Sequence, residues 1–450
     1  MKHTLLVTFG LLLSCSGGEK GATIGGDDDD GDDDDIVTDT DVPIPTETET
    51  EPVVDCLLGN NPYAVECTIS LENAQVVTVE LSAAGLATRT FHSEGSGTDH
   101  SIWAWGLRPD TTYDWTAAGV SGQVTTGSTP PALAAADIEV SGTLEGMDAV
   151  MLYVSCGFFA IVDGEGEIIG GVPTQTYDAF MDGMRWSQAD RSFLAARDSK
   201  MGPGDSYFVE VHVSGTELLR IEQNDLVDLV ALTHDLDRWG PYTYLQGVAP
   251  NGSEGFEVWE GTTHLGAYVL EQDFGLGESW LNGITVSETG EAILSERDNH
   301  AIISIDGDPN SPTFLELNWH AAGIAGIGLP NPDFGPAIGQ IYKDQHHASL
   351  DGDDLWVFDN DSQPSSRALR MSMDPASGEL TETGSWSVGR HCENQGGAVP
   401  VDGGVLVTCA NSGDVHYFAE DSSTPDWSLN AACGGGLFSK PTRAYPVWVE

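Results

Sequence analysis

Basic residues are scarce in this 450-residue chain: 17 Lys and Arg stand against 71 Asp and Glu, a formal net charge of −54 at pH 7. A surface of that sign repels nucleic acid and anionic membranes, so no nucleic-acid partner is expected. An anionic substrate has to enter through a local positive pocket, which makes any buried arginine a candidate functional residue. Helical periodicity is almost absent. Long apolar runs are missing too: only Leu5 to Leu13 qualifies, and it is too short to span a bilayer as a helix. The cysteines number seven. None has metal-ligand spacing, which argues against zinc, and no metal is expected.

The N-terminus carries an address. Lys2 and His3 precede the apolar run, and Leu12-Leu13-Ser14-Cys15 closes it. This is the pattern of a bacterial lipoprotein signal over residues 1–15, with Cys15 as the lipid-modified first residue of the mature protein. The other reading is an ordinary secretory peptide with an incidental cysteine. Ser16 after the cysteine favours the outer membrane, on its periplasmic face or at the cell surface. Residues 16–53 read as an acidic, disordered tether: Asp27–Asp30, Asp32–Asp35 and a Thr-Glu repeat repel one another and offer nothing to bury. Without Cys15 an even set remains for an oxidising compartment: Cys56, Cys67, Cys156, Cys392, Cys409 and Cys433. Cys56–Cys67 is expected to pair, and the other four leave three pairings open.

The expected fold class is all-β, in two units. Residues 54–130 alternate apolar and polar over short strands. The spacing Leu107-x-Pro109-x-Thr111-x-Tyr113 resembles the tyrosine corner of fibronectin type III domains, so a small β-sandwich with a spacer or docking role is expected. Residues 136–450 are a succession of short strands with Gly, Asn and Asp turns. Units recur near residues 149–169, 192–221, 229–260, 280–305, 345–373 and 395–418. That period predicts a six-bladed β-propeller; two stacked sandwiches explain the repetition less well. His234, Leu281, His347 and Gly396 take comparable places in their units, so polar residues there converge on an axis. Asp306-Gly307-Asp308-Pro309-Asn310 has the start of a calcium loop but lacks its mid-loop Gly and closing Glu, which favours a turn.

Several segments together resemble bacterial arylsulfate sulfotransferases. They are Thr233-His234-Asp235; Trp280-Leu281-Asn282-Gly283 running into Glu296-Arg297; Gln345-His346-His347 running into Phe358-Asp359-Asn360 and Ser366-Arg367; and the closing Thr442-Arg443-Ala444-Tyr445. The likeness covers roughly residues 225–450. It implies a propeller behind a small sandwich, and sulfuryl transfer from a phenolic sulfate donor to a phenol acceptor without a nucleotide cofactor. His346 is then the nucleophile, with His347 as the fallback one register away. Neutral imidazole offers a free nitrogen near neutral pH. The resemblance assigns His234 and Arg297 as donors to the transferred group, Asn282 to steadying it and Arg367 to orienting the site. In isolation, Arg297 reads equally as a partner of Glu296 or Asp298, and His391 as a turn residue. Where the family has a histidine two residues before the Asn, this chain has Trp280. An indole there removes a donor and presents a face for an aromatic substrate. It equally suits a catalytically inactive propeller that binds a ligand or protein partner at the cell surface.

Overall fold

The computed structural model describes residues 51–131, 133–154, 158–173, 181–197, 205–270, 280–326, 331–432 and 443–449. Cys15, most of the acidic tether, Cys156, Cys433 and Thr442 lie outside them. The regular secondary structure of the described residues is nearly all strand, and among them no helix is long and apolar enough to cross a membrane.

Two small sheets come first. Val53–Leu58, Val65–Gln75 and Gly97–Ala104 form one, and Arg89–His92, Thr78–Ser82, Thr112–Ala117 and Val120–Thr125 the other. The strand Thr112–Ala117 shows why they stack: Tyr113, Trp115 and Ala117 are buried while Thr112, Asp114 and Thr116 are exposed, the period of two that gives one dry face. Cys56 faces Cys67 in register and the two are disulfide-bonded, as expected from sequence. The Tyr113 hydroxyl accepts the backbone N–H of Arg108 at 2.9 Å, which is the tie that the Leu-x-Pro-x-Thr-x-Tyr spacing predicts.

Six further antiparallel sheets of four or five strands follow, in a propeller-like arrangement. In the second to fifth the chain enters on the inner strand and works outward, the inner strands being Met181–Ser187, Ala231–Trp239, Leu281–Val286 and His346–Asp351. The sixth starts from Gly397–Val401. Each inner strand packs beside the next around a common axis. Strands one step out, such as Ser192–Arg197 and Gly404–Cys409, are buried at every residue. Neighbouring sheets cover both of their faces, so these segments read as apolar runs rather than alternations.

Both ends of the chain close the ring. The unit near residues 149–169 supplies only three strands of the first sheet, and its inner strand is Ala444–Val447 from the far end. Asp137–Gly142 adds a fifth, outer strand to the sixth sheet. Pairing the terminal strands in this way removes two free edges.

The sandwich does not hang on a linker. Trp105 packs on Trp186 at 5.2 Å between ring centroids, and Arg108 pairs with Asp163 at 2.9 Å across the seam. At Gly106 a side chain would collide with Val449. One hydrophobic cluster runs from Val79 and Phe91 through Trp105 to Phe193 and Tyr445. The Asp306–Asn310 segment is a turn: Asp306 accepts from the Ser311 and Thr313 hydroxyls, and Asp308 accepts from the Asn310 amide.

Replacing Tyr113 by Phe leaves the Arg108 N–H without its acceptor in a half-buried corner. Denaturant unfolding is expected to show a loss of about 1–3 kcal/mol with an unchanged m-value. A Tyr113→Phe variant as stable as the parent contradicts the assignment of this tie.

Candidate functional site at the propeller mouth

At the mouth the inner strands are irregular in a repeated way. Register breaks fall at Met181/Gly183, Leu232/Leu236, Leu281/Gly283 and His346/Ala348. His234, His347 and Gln395 adopt left-handed backbone, with φ of 51°, 49° and 52°. An extra residue in one strand rotates the next side chain off its face, and here it turns polar groups onto the axis. A non-glycine residue held at positive φ costs on the order of 1–3 kcal/mol, so the third, fifth and sixth sheets spend stability at this level.

His346 sits at the centre of this level and is 5% exposed. Asn360 donates its amide N–H groups to the carbonyls of Cys392 at 2.7 Å and Gln395 at 3.1 Å, so its Oδ1 faces His346 Nδ1 at 2.9 Å as an acceptor. Nδ1 therefore carries the ring proton. Nε2 keeps its lone pair, which accepts the backbone N–H of Gln395 at 3.2 Å. Burial drives the His346 pKa down to about 3, and the charges of Arg443, Arg297 and His234 push in the same direction. The imidazole is neutral throughout the physiological range, and its Nε2 lone pair acts as an acceptor.

Behind His346 the axis is filled by an ion network to which every sheet contributes. Arg443, just before the closing strand, pairs with Asp235 of the third sheet and donates to the Asn282 carbonyl of the fourth at 2.7 Å. Arg185 of the second sheet pairs with Asp237 at 3.1 Å and donates to the Leu236 and Ile284 carbonyls at 3.1 and 2.9 Å. It also reaches His347 Nε2 at 3.3 Å and lies 4.5 Å from the centre of the Tyr445 ring. His347 Nδ1 bonds the Ala398 carbonyl of the sixth sheet at 3.1 Å. Burial opposes the charges of Arg185 and Arg443, yet their carboxylate neighbours hold both proton affinities above the ordinary arginine value. Gly283 leaves the pair room: a Cβ there would stand 3.1 Å from the Asp235 carboxylate and 3.2 Å from Arg443, so the ion pair would have to give by a few tenths of an ångström.

The residues singled out from sequence divide into three groups. His346, His234, Arg297 and Trp280 gather at the mouth: the His234 and Trp280 rings lie 5.4 Å apart, and the Trp280 carbonyl accepts the Arg297 N–H at 2.9 Å. The Arg297 guanidinium makes no hydrogen bond or ion pair with any described residue, and so pairs with neither Glu296 nor Asp298. Glu296 instead accepts the backbone N–H groups of Asn299 and Trp280 at 2.8 and 3.4 Å. Asn282 stands behind them and donates to the Gln345 carbonyl at 3.1 Å, which straps down the strand that presents His346. The rest are taken up elsewhere. His347 is 2% exposed with both ring nitrogens bonded to protein, which leaves it no free nitrogen as a fallback nucleophile or substrate ligand. Arg367 binds Asp359 at 3.0 Å, Glu382 at 3.0 Å and the Ile341 carbonyl at 3.0 Å, two strands out from the axis; it braces the sheet. His391 is an exposed loop residue.

Six residues of the site and its ion network were not assigned a role from sequence: Arg185, Asp235, Asp237, Asn360, Gln395 and Arg443. Arg185 had a signal, a lone arginine inside the apolar segment Met184-Arg185-Trp186 of a chain poor in cations. Gln395 had none, since its contribution is a backbone N–H. The Cys392–Cys409 disulfide, with Cα atoms 5.7 Å apart, settles one of the open pairings and anchors the loop that carries Gln395.

No family model matches this chain, and no curated protein matches it in sequence. Among solved structures it is similar to a chain of a nidogen/laminin complex (13% identity, TM-score 0.41, covering 66% of this chain and 97% of that one). It is also similar to the WD40 propeller domain of Doa1 (10%, 0.40, 66% and 89%) and to the periplasmic gluconolactonase of Pseudomonas aeruginosa (15%, 0.36, 84% and 100%). Likenesses this loose carry no argument about activity.

Stability should fall in mild acid for a stated reason. His346 and His347 are held neutral when folded but take up protons near pH 6.5 when unfolded. The unfolded chain binds more protons below that pH, so each imidazole removes up to about 1.4 kcal/mol per pH unit as pH falls. For His346 this continues to about pH 3. A His346→Gln variant should show a shallower decline in unfolding free energy between about pH 6.5 and pH 4. An identical decline in parent and variant refutes the burial-driven neutrality.

Proposed function

We propose that this chain is a lipid-anchored arylsulfate sulfotransferase of the cell envelope. It moves a sulfuryl group from an aryl sulfate to a phenol through a sulfohistidine at His346. The reading takes the six large sheets as a closed six-bladed propeller, the two small ones as a fibronectin-III-like sandwich, and Cys15 as the lipid-bearing residue that holds the protein at the outer membrane. The observation that carries the proposal is a neutral, Nδ1-protonated histidine on an inner strand, whose Nε2 keeps its lone pair and whose surroundings include the Arg297 and Arg443 charges.

The chemistry follows from that geometry. The Nε2 lone pair attacks sulfur, the N–S bond forms and the S–O bond to the aryl group breaks, releasing a phenolate. The ring keeps its Nδ1 proton and becomes cationic while Asn360 Oδ1 accepts from it. Negative charge on the three sulfuryl oxygens is met by the Arg297 guanidinium and by His234, donors in a largely dry site. An acceptor phenol then attacks sulfur and gives its proton to solvent. The N–S bond breaks and Nε2 recovers its lone pair. Trp280, 40% exposed beside His234, offers an indole face on which an aromatic donor stacks.

Two observations favour a second reading, a catalytically silent propeller that binds a ligand or partner at the cell surface. The Gln395 N–H occupies the nucleophile's lone pair, and Trp280 stands where a further donor is expected. The missing donor is worth on the order of 3 kcal/mol of transition-state stabilisation.

Incubation with p-nitrophenyl sulfate and a phenol acceptor separates the two. Sulfuryl transfer predicts acceptor-dependent release of nitrophenol that falls by on the order of 10⁴-fold or more in His346→Ala. Folded protein with no release, or with equal release from the variant, leaves the binding propeller.

A further inference from the structure

Asn360 lies one residue beyond the strand Asp354–Asp359, is 1% exposed, and does not reach the mouth. Its amide nevertheless touches everything that defines the state of His346. Oδ1 accepts from Nδ1 at 2.9 Å, and Nδ2 donates to the carbonyls of Cys392 and Gln395. The loop it grips is held at its other points too. The Cys392 N–H donates to the Ser366 hydroxyl at 2.8 Å, that hydroxyl donates to the Asn360 carbonyl at 2.7 Å, and Cys392 is bonded to Cys409. Beyond Gln395 the chain turns at Gly396, with φ of 124°, where a Cβ would stand 2.4 Å from the Phe358 ring. Only glycine fits, so the position of the Gln395 amide is fixed from both sides.

We propose that Asn360 is the positioning residue of the site, setting both nitrogens of His346 at once. It holds the ring as the Nδ1–H tautomer, which makes Nε2 the reacting atom, and it holds the Gln395 N–H over Nε2 as a donor with two successive acceptors. In the resting protein that N–H bonds the Nε2 lone pair. When the lone pair is spent in the N–S bond, the same N–H faces the new sulfuryl group and donates to one of its oxygens. The cap on the nucleophile thus becomes an oxyanion donor, supplied by backbone and invisible to side-chain comparison. This handover rests on the sulfotransferase reading; the tautomer does not.

The decisive measurement is the ¹⁵N spectrum of the full chain labelled at histidine, with the His346 signals assigned by their loss in His346→Gln. The expected result is a protonated Nδ1 and an unprotonated Nε2, unchanged from about pH 5 to about pH 9. In Asn360→Ala, which removes the acceptor and releases the loop, a mixture of both tautomers is expected. A parallel drop in kcat on the order of 100-fold, with KM little changed, is expected in any preparation that turns over. Asn360→Asp keeps an acceptor on Nδ1. It should retain the tautomer and raise the proton affinity of His346, so that an acid limb enters the pH profile. A protonated Nε2 in the parent overturns the proposal. So does an unchanged tautomer in folded Asn360→Ala, or, if that variant does not fold, the loss of the Nδ1–H tautomer in Asn360→Asp. Absence of turnover with the expected tautomers would retire the transfer reaction and the handover while leaving the positioning role intact.

Discussion

Arg443 and Asp235 meet on the axis from 208 residues apart, one just before the final strand and the other in the third sheet. With exposures of 5% and 0%, neither has enough solvent to carry its charge alone. A buried pair of this kind repays its desolvation only when its remaining valences are also met. Neighbouring sheets meet most of them: the Asn282 carbonyl takes the other arm of Arg443, and Asp235 Oδ2 accepts the Ile284 N–H at 3.1 Å, while Asp235 Oδ1 has no hydrogen-bond partner among the described residues. The pair can form only once the last strand has docked into the first sheet. Ring closure and the satisfaction of this charge are therefore one event, and the Arg185–Asp237 pair beside it extends the same constraint to the second sheet.

That constraint also prepares His346. With the axis behind it filled by bonded charge, the imidazole is desolvated from below and meets cations around it, so protonation is opposed from two directions. A nucleophile for an anionic sulfate needs this combination: it has to remain neutral while its surroundings are positive. In a chain of net charge −54 the arrangement is costly in composition, and the few arginines are spent accordingly. Arg185 and Arg443 are locked into the network, Arg367 braces a sheet through Asp359, and the Arg297 guanidinium has no ion-pair partner among the described residues.

Much of this was legible in the sequence. The repeated strand units map onto the sheets, and the Leu107-to-Tyr113 spacing foretold the Arg108–Tyr113 hydrogen bond. His234, Trp280 and His346 could be placed at one level because each sits at the start of a unit, where a register break turns side chains inward; Arg297, just past the returning strand Glu291–Glu296, is brought beside Trp280 by the hairpin. His347 and Arg367 were legible only as polar residues in the right neighbourhood. Their partners, Arg185 from 162 residues away and Asp359 within the same sheet, are properties of the folded ring. The Gln395 amide was invisible because a backbone donor leaves no trace in residue type.

The central claim is that His346 Nε2 carries the sulfuryl group between donor and acceptor. The most direct test is to expose the protein to p-nitrophenyl sulfate without acceptor, quench in alkali, and map the modified peptide by fragmentation mass spectrometry. The account predicts the mass of one sulfuryl group on the peptide containing His346, localised to that residue, absent in His346→Ala and removed by adding a phenol. A sulfuryl group on another residue, or nitrophenol release with no modified peptide under the same quench, would contradict it.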